Sequence, residues 1–491
     1  MDIVDLSKEI VFGSADSTVA HRISQLVRKG KLRRIAPRLY TSNLIDSAEN
    51  IIRRNILSIL VWRFPGTIIS HRSANEMRLT EDGFFFLTGS SNRTVTELPG
   101  IKIVITKGPA ADEGDMPYGK MHISGEYRCL LENLQASRRS GASSKCLAIE
   151  QIEKKLESVL LSGGEASLNA YRDQLKAVAQ RLNMQKEFGK ANKIISALLS
   201  SRPSDVLTSP SAKAAAAGTP YDESRLKLFE ILYFALKNNF FPPLIQNEQN
   251  EGAFRLIAFF ESYFSNYIEG TEFSVEEARS IVESGVPIPI RTEDSHDIIG
   301  TFQIASNRQE MSVVPSSASE LIDILRHRHS ILLSGRPQMQ PGIFKKKNNR
   351  AGNTEFVDYQ EVVGTLSAGF QYYAALDNAF AKAVYMMFLI SEVHPFNDGN
   401  GRMARIMMNA ELVHSGLFKI IVPTVYREDY LLALRQLSRQ GQPGTFIQVM
   451  RRLHQFSANL TSPDFKELDN LFRVCNAYEL PSSAKLVFPQ P

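Results

Sequence analysis

Cysteine is scarce: Cys129, Cys146 and Cys475 are the only three in 491 residues. An odd, widely spaced set with no C-x-x-C pair excludes a disulfide framework and a cysteine zinc site. The three thiols are expected to be buried and inert, as in a reducing compartment. No run of about 18 apolar residues occurs, so no membrane-spanning helix is expected. The N-terminus, MDIVDLSKEI, is charged and lacks the apolar core of a signal peptide. A cytoplasmic location and no membrane partner are the expectation. There are no internal repeats. Nor is there much excess of one charge: Lys+Arg is 57 against Asp+Glu 52, a net +5. That excludes an acidic solvating chain and does not by itself signal nucleic acid, because what matters is where the charge sits.

The length implies two to four domains at roughly 100–200 residues each. With 43% hydrophobic and 22% charged residues the chain is ordinary globular material, rich enough to bury large cores. The charge is unevenly placed. Residues 21–54 carry a net +7, which leaves the rest near −2. Within that stretch, STVAHRISQLVRKG (17–30) spaces Val19, Ile23, Leu26 and Val27 as one helix face, with Asp16 or Ser17 to cap it and Gly30 to end it. KLRRIAPRLYTSN follows in a strand-like pattern broken by Pro37. A helix, a glycine and a basic hairpin are how a winged helix-turn-helix ends.

Further on, 51–64 predicts a helix, 83–88 and 101–106 predict strands bounded by turn residues, and 149–181 and 188–199 predict helices. Residues 201–224 are rich in Ser, Pro, Ala and Gly and read as a linker. From about 225 to about 456 the pattern is mainly helical, with a Gly/Lys/Asn-rich excursion at 341–354 that cannot be helix throughout. The segment 461–491 holds one short helix and then Pro-rich coil. The fold class is therefore mainly α, an all-helical core with a smaller α/β module at the N-terminus.

The chemistry is concentrated in SEVHPFNDGNGRMAR, 391–405. A strongly apolar helix (378–390) delivers His394 to its end, and Pro395 breaks it. Asp398, Gly399, Asn400 and Gly401 make a tight turn, and a new helix starts at Arg402. A glycine-rich turn into a helix N-terminus presents backbone N–H groups and a positive dipole end, an anion site. Arg402 and Arg405, three apart, can face the same anion as planar forks. Asp398 beside a phosphate suits Mg²⁺, which takes one or two carboxylates plus phosphate oxygens. His394 at the rim suits a general base. The set fits transfer of a phosphorus-containing group.

This stretch resembles the Fic family signature, H-x-F-x-[DE]-G-N-G-R-x-x-R, at His394, Phe396, Asp398, Gly399, Asn400, Gly401, Arg402 and Arg405. The resemblance implies a protein adenylyltransferase, moving AMP from ATP to a Ser, Thr or Tyr hydroxyl of a protein target, itself included. It implies that His394 deprotonates the hydroxyl, that Asp398 holds Mg²⁺, that the Gly399, Asn400, Gly401 and Arg402 backbone cradles the α- and β-phosphates, and that Arg402 and Arg405 bind the β/γ end. Phe396 would anchor the loop in the core. The related Doc kinases have Lys where this chain has Gly401, which favours AMP transfer over phosphorylation. The region before the motif, 327–356, matches a β-hairpin flap that registers the target as an added strand. The near strand would be 342–346, with Ile343, Phe344 and Lys345 docking the target and Lys345 and Lys346 exposed. Downstream, 425–441 resembles the helix that closes the nucleotide site, where Tyr430 contacts the adenine or belongs to the core. The Trp common near the end of this region is absent from PGTFIQVM, 443–450.

Residues 253–270, AFRLIAFFESYFSNYIEG, form an apolar helix stopping at Gly270, with Ser265 and Glu269 on one face. S-N-Y-I-E-G resembles the inhibitory motif [ST]-x-x-x-E-[GN] of Fic proteins. The implied brake is an ion pair between Glu269 and Arg405 that takes the guanidinium from the γ-phosphate. A Glu at a helix C-terminus opposes the dipole, a cost that a cationic partner offsets.

The pattern of 17–41, extended by GTIISHRSANEMRL (66–79), resembles winged-helix antitoxin-type regulators of abortive-infection systems. That resemblance implies DNA as a partner, with Arg33, Arg34 and Arg38 on the wing and Arg22 and Arg28 on the helix contacting phosphates. The expected plan is a winged-helix module over 1–135, a helical connector and linker over 136–224, a Fic domain over 225–456 (inhibitory helix 253–270, flap 341–356, motif 394–405) and a tail over 457–491. Alternatives stay open: a DNA-binding transcriptional regulator or toxin–antitoxin component with an idle or sensing Fic domain, removal of AMP from modified proteins, or a nucleotide donor other than ATP. A homodimer also stays open.

Overall fold

A computed structural model describes residues 4–200, 206–246, 250–352 and 354–489. Part of the expected linker (201–205), one flap residue (353) and the extreme ends lie outside the described residues. The chain forms two compact units, Met1–Ala217 and Gly218–Pro491.

The first unit is α/β. Helix Ser17–Arg28 is capped by Asp16, whose carboxylate accepts from the Thr18 and Val19 N–H groups. Gly30, at φ 66°, turns the chain out of it. The basic hairpin forms as Arg33–Ala36 and Leu39–Thr41, and Ile10–Phe12 pairs with its second strand. Pro37 falls in the turn rather than in a strand. Among the described residues no helix precedes Ser17–Arg28, so the helix and wing are present without a helix-turn-helix pair ahead of them. The strands expected at 83–88 and 101–106 are Phe84–Gly89 and Ile101–Lys107. They pair in parallel at the centre of a mixed six-stranded sheet. Three of the other strands, Ile68–Ile69, Met116–Tyr118 and Met121–Ile123, have too few residues to show an alternating pattern. Helices Ile149–Leu182 and Gln185–Leu198 follow, the first broken at Gly164, φ 69° and ψ −172°.

The stretch 201–224 departs from the linker expectation. Leu207 and Ala212 sit in the core of the helical part of this unit, and Pro210–Ala216 is a helix started by the Ser209 cap. Alanine is the best helix former and small enough to pack closely, so a composition that resembles a linker here makes a docked helix.

The second unit is helical around Ala379–Val393, whose residues are apolar on almost every side and buried accordingly. Asn400–His414 packs against it, so the loop between the two is held by the best-packed pair in the unit. The segment after 460 is more than a tail. Helix Phe465–Val474 buries Leu468 and Phe472, and the Phe472 and Tyr478 rings lie 4.7 Å and 5.2 Å from those of Phe260 and Phe264. The amphipathic spacing of Leu468 and Phe472 drives it onto the far face of helix Glu251–Ile268.

Candidate active site

His394 closes helix Ala379–Val393 in the left-handed conformation, φ 53° and ψ 58°. Its N–H still donates to the Ile390 carbonyl. Pro395 cannot continue the helix, and Phe396 turns inward, fully buried, stacked at 3.6 Å on the His329 ring. Asn400 ties the loop reciprocally: its side chain accepts from the Phe396 N–H and donates to the Phe396 carbonyl, at 2.8 and 2.9 Å. Gly399, at φ 74°, caps the next helix, a conformation natural to glycine. No side chain caps the N–H groups of the first turn, and Gly401 of that turn lines the cleft.

The His394 ring lies flat against Phe356, 3.7 Å between centroids. Its Nδ1 is 3.3 Å from the Ser391 carbonyl. A carbonyl only accepts, so Nδ1 carries the hydrogen and Nε2 the lone pair. Burial pushes its pKa down to about 4, so the ring is neutral at pH 7 and able to take a proton.

Arg405 is buried and held at three points. Its Nε donates to the Ser265 hydroxyl at 2.9 Å, and Nη2 donates to the Ser265 carbonyl at 2.9 Å and to Glu269 Oε1 at 2.7 Å. Ser265 and Glu269 thus meet Arg405 from one helix face. Glu251–Ile268 ends at Glu269, and Gly270 at φ 97° leads away. Burial raises the Glu269 carboxyl, but the Arg405 guanidinium outweighs it and holds it below the usual range. The carboxylate also covers the helix N-terminus: a Cβ on Gly401 would collide with Glu269 Oε1. Tyr430, on helix Arg427–Gln440, is buried. Burial raises its phenol, and the Arg405 guanidinium, which its hydroxyl touches, lowers it. These groups enclose a cleft of about 520 Å³ whose walls include Glu269, Phe356, His394, Gly401, Arg405 and Tyr430.

Arg402 faces away from Arg405. Its Nη1 is 2.6 Å from Asp297 Oδ2, and its Nη2 is 3.7 Å from Asp398 Oδ2. Asp398 Oδ1 accepts the Gly399 N–H. Among the described residues no group of three or more His, Cys, Asp or Glu could hold a metal ion. Asp398 nonetheless fits Mg²⁺: a partly exposed hard carboxylate beside a phosphate-type anion site suffices for an ion that draws its other ligands from phosphate and water.

The flap differs from expectation. Residues 342–346 form no strand, and the hairpin is Arg350–Ala351 with Thr354–Glu355. Ile343 is exposed, Phe344 packs 5.1 Å from Phe396, and Lys345 is buried at 2% exposure. The Lys345 N–H donates to the Pro395 carbonyl, and its Nζ donates to Asn349 Oδ1 at 2.7 Å. This segment braces the motif loop, and burial pushes the Lys345 ammonium down to about 8. Lys346 is exposed as expected.

In the first unit, Arg28, Arg34 and Arg38 are exposed, while Arg22 and Arg33 are half-buried, and the Arg33 guanidinium donates to the Asp46 carbonyl. Arg54 is engaged by Glu9 and Asp46, so part of the +7 cluster is neutralised internally.

Sequence reasoning missed Asp297, Arg336, His329 and Phe356. Asp297 sits in a run of polar residues, TEDSHD, and only folding selects which acid is buried. Phe356 carried a signal, an aromatic directly after the Gly/Asn-rich excursion.

Residues 320–412 match the Fic/DOC family. The chain is 27% identical over 249 residues to the protein adenylyltransferase Fic of Nematostella vectensis, covering 47% of this chain and 52% of that protein. It is 25% identical over 186 residues to the protein adenylyltransferase fic-1 of Caenorhabditis elegans, covering 35% of each. The chain thus spans between a third and about half the length of these relatives. A solved structure of C. elegans Fic-1, residues 134–508, is 17% identical with a TM-score of 0.36 and covers 67% of this chain and 98% of that one. The match to the Fic/DOC family over residues 320–412 takes in His394, the helix N-terminus at Asn400 and both arginines.

Proposed function

We propose that this chain is a protein adenylyltransferase held in check by Glu269. The observation that carries the reading is the convergence, on one cleft, of a neutral His394 with a free Nε2, an uncapped helix N-terminus and Arg405. In the reaction, a target hydroxyl oxygen bonds to the α-phosphorus of ATP, His394 Nε2 takes its proton, and the bond from the α-phosphorus to the departing oxygen breaks, releasing pyrophosphate. The N–H groups of Asn400, Gly401 and Arg402 and the Arg405 guanidinium receive the charge that develops on the phosphates, while the Arg402 guanidinium stays paired with Asp297. Mg²⁺, held by Asp398, would neutralise phosphate charge when bound. Tyr430 would support the site through Arg405. For the target we assign docking to the paired strands Arg350–Ala351 and Thr354–Glu355, which lead into Phe356 beside His394, rather than to 342–346.

Glu269 would restrain the reaction twice, by occupying Arg405 and by placing a negative charge over Gly401 where phosphate oxygens must sit. Labelling a lysate with a panel of α-³²P nucleotides, using the unsubstituted chain and Glu269→Gly, tests the reading and the donor together. ATP-dependent labelling of protein, stronger with Glu269→Gly, supports it, and labelling by no nucleotide contradicts it.

A second activity is favoured by the exposed Arg28, Arg34 and Arg38 on the helix and hairpin of the first unit. We propose that this face contacts DNA phosphates. A gel shift that weakens steeply with salt, and weakens further in Arg34→Ala and Arg38→Ala, is the expected result. A salt-independent shift unaffected by either substitution contradicts it.

A further inference from the structure

Arg336 stands where a cation is needed. It follows helix Ala318–Leu332 in the segment SGRP, and its Nη1 lies 2.9 Å from Asp398 Oδ2 and 3.0 Å from Asp297 Oδ2. One nitrogen thus serves two carboxylates, although an arginine fork is built to bind one carboxylate through two nitrogens. The geometry leaves three groups of this cluster unused: the buried donors Arg336 Nε and Arg402 Nε and the buried acceptor Asp297 Oδ1 have no hydrogen-bond partner among the described residues, and Arg402 already holds Asp297 Oδ2 at 2.6 Å while Arg336 is divided between two carboxylates. Most buried polar groups find a hydrogen-bond partner, so these call for an explanation.

Resting on the proposed nucleotidyl transfer, we infer that Arg336 is a positioning residue that neutralises Asp398 before the nucleotide's divalent cation arrives, and that it yields Asp398 by closing a two-pronged pair with Asp297. The cation cannot share Asp398 Oδ2 with a guanidinium at 2.9 Å, because the two positive charges would repel at close range. Asp297 is the acceptor already in place. Its Oδ2 holds Arg336 now, and its Oδ1 completes the pair with Nε after a small rotation. Glu293, with Oε2 3.6 Å from Arg336 Nη2, draws the guanidinium in the same direction. Arg402, 3.7 Å from Asp398 Oδ2, stays on Asp297 Oδ2 in both arrangements. Cation affinity is then set by a competition between Arg336 and the metal for one carboxylate oxygen, and Asp297 decides how easily Arg336 lets go.

The test is Mn²⁺ binding to the full chain by electron paramagnetic resonance, with the non-transferable α,β-methylene analogue of ATP present. Asp398→Asn should abolish site-specific binding. Arg336→Gln should tighten Mn²⁺ about tenfold by removing the competing charge, and Arg336→Lys, which keeps the charge, should stay near the unsubstituted value. Asp297→Asn should weaken Mn²⁺ binding, and should lose that effect when combined with Arg336→Gln, since Asp297 acts through Arg336. Equal or weaker binding in Arg336→Gln overturns the inference. So does an Asp297→Asn effect of the same size in both backgrounds, which would mark a plain field effect, and so does the absence of any Mn²⁺ binding that depends on Asp398. Melting curves identify any variant that fails to fold, and the charge-conserving Arg336→Lys then decides: a tightening there as large as a lost charge overturns the competition. If these affinities shift as stated while no α-labelled nucleotide labels protein, the transfer reading fails and the inference stands. If labelling proceeds and the affinities do not shift, the reverse holds.

Discussion

Glu269 Oε1 lies 2.7 Å from Arg405 Nη2, and the same oxygen lies against the backbone of Gly401 at the start of helix Asn400–His414. One carboxylate thereby occupies both the guanidinium and the helix N-terminus, the two positive features a phosphate chain would use. The pair is only partly shielded, with 35% of the Glu269 side chain exposed. A pair so exposed adds little to stability, and in the proposed function it matters for what it would block.

Gly401 tests the second half of that relationship. A methyl group there meets Glu269 Oε1 and comes within 3.3 Å of Arg405 Nη1. Gly401→Ala should therefore fill the phosphate site. In a Glu269→Gly background, ATP affinity is expected to fall at least about tenfold, a loss of roughly 1.4 kcal/mol. Calorimetric titration with ATP checks it, and unchanged affinity would remove the phosphates from that helix N-terminus.

In the proposed function Ser265 would support the brake through Arg405, whose Nε donates to its hydroxyl at 2.9 Å. Ser265→Ala removes that hydroxyl but leaves the Ser265 carbonyl and Glu269 in place. Self-labelling should rise severalfold while staying below that of Glu269→Gly, about the effect of losing one charge-assisted hydrogen bond.

His394 gives a pH prediction. Burial holds its pKa near 4, so the ring stays neutral as pH falls from 7 to 5, and initial rates should change little across that range in a Glu269→Gly background. Phe356 covers the ring face at 3.7 Å. In Phe356→Ala the ring meets water, its pKa rises toward 6.5, and kcat/KM should decline between pH 7 and pH 5. An identical profile in both proteins would show that Phe356 does not set the proton affinity of His394.

Three histidines also tie stability to pH. His329, His394 and His454 are each pushed down to about 4 by burial. A histidine whose folded value lies below its unfolded 6.5 binds fewer protons when folded. These three rings therefore favour the folded second unit above about 6.5 and disfavour it as pH falls toward 4. The unfolding free energy contributed by each histidine falls by up to about 1.4 kcal/mol per pH unit across that window, partly offset by buried Glu411, which is raised to about 7, so the thermal midpoint should drop, most steeply in a Glu411→Gln background. A flat midpoint there would contradict the burial of these rings.

The motif was legible because its function is written in consecutive residues: a helix end, a proline, a glycine turn and two arginines leave few local alternatives. The contact expected between Glu269 and Arg405 was legible for a similar reason, since Ser265 and Glu269 are one helical turn apart and their facing partner is the last residue of the motif. The flap was misplaced because Lys345 reads as a surface cation, whereas its burial depends on carbonyls at Val393 and Pro395 that only folding brings near. Leu207 and Ala212 were hidden in a linker-like composition for the same reason. Asp297 and Arg336 left no trace in the sequence, because their meaning is a three-way contact with Asp398 across separate segments. The six-stranded sheet was only partly visible, since two of its strands, Phe84–Gly89 and Ile101–Lys107, are long enough to show a pattern.

The most direct measurement is incorporation of label from α-³²P-ATP into the purified full chain, compared across the unsubstituted protein, Glu269→Gly and the double variant Glu269→Gly, His394→Ala. Weak labelling without substitution, an increase of about tenfold or more on removing Glu269, and none when His394 is also removed are the results expected. Labelling that does not rise with Glu269→Gly, or that persists without His394, would contradict the account.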